Sequence, residues 1–600
     1  MGDLLSGLRD LGHTRRRSDG ELLRRILVHF KPHRRAVLAV AGAIVLGAMV
    51  ETALPLLLAR GVDWLQTAAT PSKLLGLVGF ILLATVTSWA CHYVRQRETA
   101  RIVGNVVLRL QQQAFAAVLR QDMSFFDTRK SGQIASYVTA DTQAFASVIT
   151  LGVNFLGQLV LVALVAAVLV HVHPALALAA LGMSVLLIIA ALGFRKLGRA
   201  TTRQARSILA TVNALVQESI RAILIAKNFR REERVYERFQ QSNAQLYTVS
   251  LRQGFVFASI MPILNVLTGM GLGLVIYVGS RAVLSGDATA GQWFLATQLL
   301  GVLWLPLTEV ASFWSQFQLG LAAAERVFDL LEQQPRVVQR GDRLPPRFTG
   351  RIEFKNVRFG YGSQADVFQG LDLVVSAGEK VGLVGHTGSG KTSLTRLLAR
   401  FYEFSEGEVL VDGHDVREFE LGAYRRQLGI VPQHPMLLNG TILDNIRYVR
   451  PEATEQEVAA ITASIGAGQW MAAFPDGLAT AVGENGRNLS LGQRQLVALA
   501  RVLLLDPAIV ILDEATASVD PLTEVQIHES LRSVLAGRTA VVIAHRLSTV
   551  RGLDRIVALR QGHIIEQGTH DGLLAQGGYY AELYEKFYRH QEVHYEPPAA

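Results

Sequence analysis

Residues Gly385 to Thr392 read GHTGSGKT, two glycines five positions apart followed by Lys391 and a hydroxyl residue, which is the spelling of a phosphate-binding P-loop. Small residues let successive backbone N–H groups turn inward around phosphate oxygens, while a following helix offers its positive N-terminus to the same anion. In such a loop Gly385, His386, Thr387, Gly388, Ser389, Gly390, Lys391, Thr392 and Ser393 form the cradle. Lys391 reaches the β- and γ-phosphates, and the Thr392 hydroxyl ligates magnesium. The flanks agree with this reading: Lys380 to Val384 (KVGLV) reads as a short buried strand and Ser393 to Arg400 as a helix. A flexible glycine turn has the same spelling by chance, so the assignment depends on the rest of the chain.

Six hundred residues exceed one domain. Half of them are hydrophobic and 18% are charged, an excess concentrated before about residue 325 that separates a membrane half from a soluble half. The net charge of +9 would suit nucleic acid, but the arginines cluster beside apolar segments, which fits the positive-inside rule and no nucleic-acid partner. Cys91 is the single cysteine. It excludes an intrachain disulfide and reads as a packing residue. The basic first 35 residues hold no signal-peptide core and carry a short amphipathic helix, Glu21 to Phe30.

Apolar spans follow near Ala36 to Leu58, Leu74 to Tyr93, Val148 to Val172, Ala175 to Phe194, Phe255 to Val283 and Trp293 to Leu321. Each is long enough to cross a hydrocarbon core of about 30 Å as a helix. The second and third, and the fourth and fifth, are joined by long connections rich in basic residues, among them Arg95, Arg97, Arg101, Arg109 and Arg120, then Arg195, Lys196, Arg199, Arg203 and Arg206. Both connections and both termini therefore lie on the cytoplasmic side of an integral multi-pass membrane protein. Few glycines or prolines interrupt the connections, so the helices are expected to run on into the cytoplasm and to turn at tips near Asp122 to Thr128 and Glu218 to Lys227. The expected fold is an all-α six-helix transmembrane domain with long extensions, followed by an α/β P-loop NTPase cassette. Its parts are a basic segment at 1–35, the membrane domain at 36–333, a proline-containing linker at 334–346, the cassette at 347–588 and a disordered tail at 589–600.

Ala508 to Glu514 (AIVILDE) is an apolar run ending in two acids, a buried strand that delivers carboxylates at its C-terminal end. Asp513 would hold the magnesium and Glu514 would polarise the attacking water. Leu489 to Gln493 (LSLGQ) then leads as a helix from Arg494 to Leu505 toward that strand. This stretch resembles the signature motif of the ATP-binding cassette (ABC) transporters, and the chain from roughly residue 20 to 590 resembles a bacterial half-size exporter of that family. Within the resemblance Tyr361 matches the aromatic that stacks on adenine, Gln433 the Q-loop glutamine and magnesium ligand, Glu484 the acid before the signature, Ser518 to Asp520 the D-loop and His545 the switch histidine.

The resemblance implies an ATP sandwich. Ser490, Gly492 and Gln493 of one subunit would bind the γ-phosphate held by the P-loop of another, with Glu514, His545, Lys391 and Gln433 as catalytic groups and ATP and Mg2+ as cofactors. It also implies a second half-transporter as partner, and places the tips near Phe125 to Thr128 and Ile220 to Lys227 beside the Q-loop, so that cassette closure drives alternating access. The signature departs from the family at Leu491, where glycine is usual, and this leaves homodimer and heterodimer open. The expected cargo is an amphipathic or hydrophobic compound, with a lipid flippase or a siderophore importer as alternatives and a nucleotide-gated channel as a different class. Glu309 near Pro306, the aromatics Trp304, Phe313, Trp314 and Phe317, and the polar Asn154, Gln158 and Asn265 are candidate substrate contacts, with packing as the commoner role for each.

Overall fold

The computed structural model describes residues 17–66, 70–362, 365–513, 521–544 and 547–587. The chain divides into two compact units, one of Met1–Leu119 and Ser131–Gln333, the other of Arg120–Lys130 and Gln334–Ala600.

The first unit is helical. α1 (Asp19–Val28) starts where the Ser18 hydroxyl accepts from the Glu21 amide, and it buries Leu22 and Ile26, two residues earlier than the sequence suggests. Long helices follow as α2 (Arg34–Gln66) and α3 (Pro71–Leu119). The short α4 (Met123–Thr128) lies in the other unit. Then come α5 (Ser131–Val138), α6 (Ala140–Val172), α7 (Pro174–Arg221), α8 (Ile223–Asn228), α9 (Glu232–Leu284) and α10 (Ala290–Glu332). At about 1.5 Å per residue the 49 residues of α3 run more than twice the thickness of a hydrocarbon core. Leu75, Phe80, Leu83 and Trp89 point outward from α3, as suits a lipid-facing helix whose backbone is satisfied internally.

Among the described residues five helices are, by length and composition, long and apolar enough to cross a membrane: Lys31–Leu65, Pro71–Leu119, Ser131–Val172, Pro174–Arg221 and Glu232–Leu284. The sixth expected span falls within α10, many of whose side chains, including Trp304, Glu309 and Trp314, lie outside the described residues.

Two apolar clusters hold this unit together. Leu161, Val165, Leu169, Leu176, Val275 and Leu299 form one, and Leu22, Leu110, Phe145, Leu321 and Phe328 form the other. Asp63 near the end of α2 accepts from the Gly291 amide at 2.7 Å and the Thr289 hydroxyl at 3.0 Å. A side chain at Gly291 would strike the Ala59 carbonyl, so glycine is required for that approach. Cys91 is buried against Gly47, as a packing residue.

Among the described residues the second unit carries three sheets. Strands β1 (Ile352–Gly360), β2 (Asp366–Val375), β3 (Lys380–Val384), β4 (Glu406–Val411), β5 (His414–Asp415), β6 (Leu428–Val431), β7 (Gly440–Thr441), β8 (Ala481–Val482), β9 (Ile509–Asp513), β10 (Thr539–Ile543), β11 (Arg555–Arg560) and β12 (His563–Gly568) follow one another in the chain. An antiparallel sheet runs β2-β1-β4-β5, a six-stranded sheet runs β12-β11-β3-β10-β9-β6, and β7 pairs with β8. In the six-stranded sheet β11, β3, β10, β9 and β6 pair in parallel. β3, β9 and β10 are buried almost end to end, which is why their sequences are continuous Val, Ile and Leu rather than alternating.

Two stretches differ from the sequence reading. α11 (Lys391–Leu398) begins at the P-loop lysine itself and ends before Arg400. Arg400 instead turns left-handed, with φ +50°, and its buried guanidinium donates to the Val416 and Val338 carbonyls at 3.1 and 3.3 Å. α12 (Leu491–Leu505) starts three residues before Arg494, because Ser490 caps it. The proline-containing stretch after Gln333 is built onto the cassette: the Arg343 amide donates to Glu418 and the Glu420 amide to the Arg343 carbonyl.

Replacing the buried Phe354 of β1, 1% exposed, by alanine removes an aromatic from the cassette core at about 3–5 kcal/mol. A thermal scan of the full chain in detergent is expected to show the cassette transition lowered by roughly ten degrees.

Candidate functional site

The parallel register brings the C-terminal ends of four strands to one edge. Ile543 of β10 stands opposite both Leu383 of β3 and Asp513 of β9, and Val431 of β6 opposite Leu512 of β9. The P-loop leaves β3 at this edge, Gln433 follows β6 as an exposed residue and Asp513 ends β9. Ligands bind outside the carboxyl ends of such strands. Glu514, the stretch Ser518 to Asp520 and His545 continue from the same strand ends and lie outside the described residues.

Backbone geometry explains the P-loop spelling. Gly388 and Gly390 have φ of +83° and +104°, where side chains are strained. A Cβ on Gly385 would sit 2.2 Å from the Leu559 carbonyl oxygen, and one on Gly390 2.8 Å from the Phe368 ring. His386, Thr387 and Gly388 are exposed, whereas Ser389, Gly390 and Lys391 are buried. The Lys391 ammonium folds back on its own loop, donating to the carbonyls of Gly385 (2.7 Å) and His386 (2.9 Å). Burial draws its pKa below the ordinary lysine range, while the Asp513 carboxylate pulls the other way. Half-exposed Thr392 stands in the first turn of α11, where helix amides lack carbonyl partners. Glycines that leave no room for a Cβ, a cation held by replaceable carbonyls and a carboxylate within its field together fit a magnesium-bound triphosphate.

Tyr361 follows β1, with its hydroxyl 3.0 Å from Ser393 Oγ. Its ring lies edge-on to Phe359 and Tyr402, at 4.8 and 5.0 Å between centroids. Ser393 is thus engaged with the aromatic side of the site. At the signature, Ser490 Oγ accepts from the Gln493 amide (3.2 Å), and Gln493 Oε1 accepts from the Ser490 amide (2.9 Å). This reciprocal capping box commits the Gln493 side chain to the helix. It leaves the Leu491 and Gly492 amides of the first turn without intrahelical carbonyl partners. Glu484 is exposed in a 3-10 turn, Glu484–Gly486, shaped by Asn485 at φ +56°.

Sequence reasoning missed Tyr402. It carries no motif, yet its ring packs on Tyr361 and its hydroxyl donates to Asp127 of α4. Beside it Asp122 caps α4 through the Ser124 amide (2.9 Å) and accepts from the Arg336 and Val337 amides, the latter at 3.1 Å. Burial works to raise the Asp122 pKa, but these hydrogen bonds outweigh it and hold the carboxyl below its ordinary range. Phe125 is buried in the same seat. The first tip expected from sequence is therefore anchored in the cassette unit. At the second, α7 stops at Arg221 and α8 presents Ile223, Leu224 and Ile225 outward.

The fold and this edge define a P-loop NTPase cassette fused to a helical membrane unit. The family pattern described as ABC transporter transmembrane region matches residues 37–307, and that described as ABC transporter matches residues 368–517. An uncharacterized ABC transporter ATP-binding protein of Bacillus subtilis, YknV, is 34% identical over 94% of each chain. An ATP-dependent lipid A-core flippase of Syntrophus aciditrophicus is 31% identical over 96% of each. The solved structure of a bacterial Atm1-family ABC exporter with ATP bound superposes with a TM-score of 0.75 at 26% identity, covering 94% of this chain and 99% of that one. The chain belongs to the ABC transporter family. It is an integral membrane ATPase that uses ATP and Mg2+ to drive transport across the membrane.

Substituting Gly390→Ala forces a side chain into a left-handed backbone against Phe368, a strain of about 1–3 kcal/mol. ATP affinity, titrated by a fluorescent nucleotide analogue on the full chain, is expected to fall at least tenfold.

Proposed function

We propose that this chain is one half of a dimeric ATP-driven flippase that moves an amphipathic lipid between membrane leaflets. The observation that carries the reading is end-to-end similarity, over 96% of each chain, to a protein named as a lipid A-core flippase. It favours the flippase alternative over a general exporter of drug-like compounds. α10 supplies the sixth span, the division at 36–333 and 347–588 separates membrane and cassette domains, and both termini and the cassette face the cytoplasm.

Dimerisation is argued from the site. One chain carries one P-loop and one signature, and a sandwich needs the signature of a second cassette against the first P-loop. The exposed apolar α8, with Leu224 78% exposed, is suited to dock on that second cassette. Leu491, as the first residue of a capped helix, offers its amide as glycine would and carries its side chain along the helix flank.

Within the composite site, Tyr361 would stack on the base, and Gly385 to Ser393 would cradle the phosphates. Thr392, Gln433 and Asp513 would hold magnesium, which when bound supplies charge neutralisation at the phosphates. Lys391 would exchange the Gly385 and His386 carbonyls for phosphate oxygens. Glu514 would orient and deprotonate the attacking water, and His545 would stabilise charge developing on the γ-phosphate. Ser490 and the Gly492 amide would close the site from the opposite subunit. Parting of the cassettes would reach the membrane helices through α4, held by Asp122, Phe125 and Asp127.

The test is ATP-dependent movement of a fluorescent phospholipid between leaflets of proteoliposomes containing this chain alone. Wild type is expected to translocate, and Glu514→Gln to lower both translocation and steady-state ATP hydrolysis at least a hundredfold. Hydrolysis without lipid movement would overturn the flippase reading, and no hydrolysis by well-inserted wild type would overturn the self-sufficient dimer.

A further inference from the structure

Two cavities open among the membrane helices. The larger, about 650 Å3, lies between α3 and α6. The smaller, about 410 Å3, lies among α2, α3, α6 and α10. Arg95 and Gln158 line both. Arg95 sits two residues past the apolar span that ends at Tyr93, level with the depth at which a lipid headgroup meets a helix.

Some of the polar groups here bond one another, and others are left for a ligand. Arg95 Nη2 donates to His92 Nδ1 at 3.1 Å, which leaves His92 Nε2 to donate to Glu51 Oε1 at 2.5 Å. Glu51 is thus engaged by His92, on the side of the smaller cavity. Arg95 lies across α6 where residue 157 is glycine; a Cβ there would be 3.1 Å from Arg95 Nη1. The described residues lining the larger cavity include this cation and the polar Gln96, Thr99, Asn154 and Gln158, and none of them is a carboxylate.

Thr99 supplies a second, independent observation. Its neighbours in the membrane helices return their hydroxyls to a carbonyl one turn back, as Thr52, Thr85 and Thr87 do. Thr99 is 8% exposed, and its Oγ1 has no hydrogen-bond partner. A buried hydroxyl left unpaired is destabilising by about 1–3 kcal/mol, and such groups in native proteins call for an explanation. Gln158 Oε1, on the wall shared by the two cavities, is likewise buried without a partner.

We propose that the larger cavity binds the headgroup of an anionic, hydroxyl-bearing lipid, with Arg95 and Thr99 donating to its phosphate and Gln158 Oε1 accepting from a headgroup hydroxyl. The inference rests on the flippase reading and names its substrate class. The volume takes a headgroup and leaves the acyl chains to the bilayer. Net charge decides the choice of lipid: among the described residues lining the larger cavity Arg95 is the one charged group, and like charge disfavours a zwitterion's ammonium.

The experiment titrates the full-length chain in detergent with phosphatidylglycerol, phosphatidylcholine and glycerol 3-phosphate, followed by native mass spectrometry. Phosphatidylglycerol is expected to bind at least tenfold more tightly than either of the others. Arg95→Gln is expected to weaken that binding about tenfold to a hundredfold while leaving phosphatidylcholine binding as it was. Arg95→Lys should retain most of the affinity, and Thr99→Val should lose part of it. Equal affinity of wild type and Arg95→Gln for phosphatidylglycerol overturns the site, and glycerol 3-phosphate binding as tightly as the lipid overturns the lipid as occupant. Translocation measured in parallel separates the two claims. Wild type and Arg95→Gln moving phosphatidylglycerol at the same rate sinks the site and leaves the flippase. Arg95-dependent binding with no translocation by wild type upholds the site and sinks the flippase.

Discussion

Parallel pairing of β3, β10, β9 and β6 is the constraint on which the catalytic half depends. Each strand in a parallel sheet hands its chain out at the same edge, so a loop after β3, a carboxylate ending β9 and an amide after β6 become neighbours although they are far apart in sequence. Burial of the strands on both faces fixes this register, since Val381, Leu383, Ile511, Val541 and Ile543 have nowhere else to go. The edge is then the one place where polar groups meet at the end of a dry core. There the Lys391 ammonium is held by loop carbonyls that a phosphate can replace, and its field reaches Asp513.

The same economy governs the membrane unit. Water cannot satisfy a backbone inside hydrocarbon, so the chain is confined to uninterrupted helices. Those helices overshoot the bilayer because nothing in α3 or α7 breaks them until the tips are reached. Within the second unit Asp122 does two jobs with one carboxylate, capping α4 and accepting from the chain that enters the cassette. Tyr402 extends the seat toward Tyr361, so the aromatic side of the nucleotide edge and the tip share a wall.

Much of this was legible in the residues. The GHTGSGKT stretch sits where strand meets helix, and each expected apolar span lies inside one long helix, because both signals are local: glycine spacing in one case, uninterrupted hydropathy in the other. The two tips were legible for the same reason, at Asp122 and near Ala222. What escaped was partly local and partly not. α12 begins at Leu491, ahead of Arg494, because Ser490 and Gln493 cap one another there. Arg400 reads as the last turn of a helix, yet its guanidinium is drawn inward to carbonyls of Val338 and Val416 from other segments. Tyr402 had no pattern at all, since its partners Tyr361 and Asp127 lie on elements that only the tertiary fold brings to it.

Leu491 shows how local geometry bears on what looks like a defect. A glycine in a signature matters where its φ is positive. That is not so here: residue 491 is the first helical residue after a Ser490 cap, and it is absent from the left-handed positions, which in this stretch include Asn485 and Gly486. The chemistry a signature contributes is a hydroxyl and first-turn amides at a positive helix end, and the capping box holds both in place. Leucine at that position also favours the helix over glycine by close to 1 kcal/mol, so the substitution strengthens the element that presents Ser490. The departure from the family pattern therefore removes neither the Ser490 hydroxyl nor the first-turn amides that a signature presents.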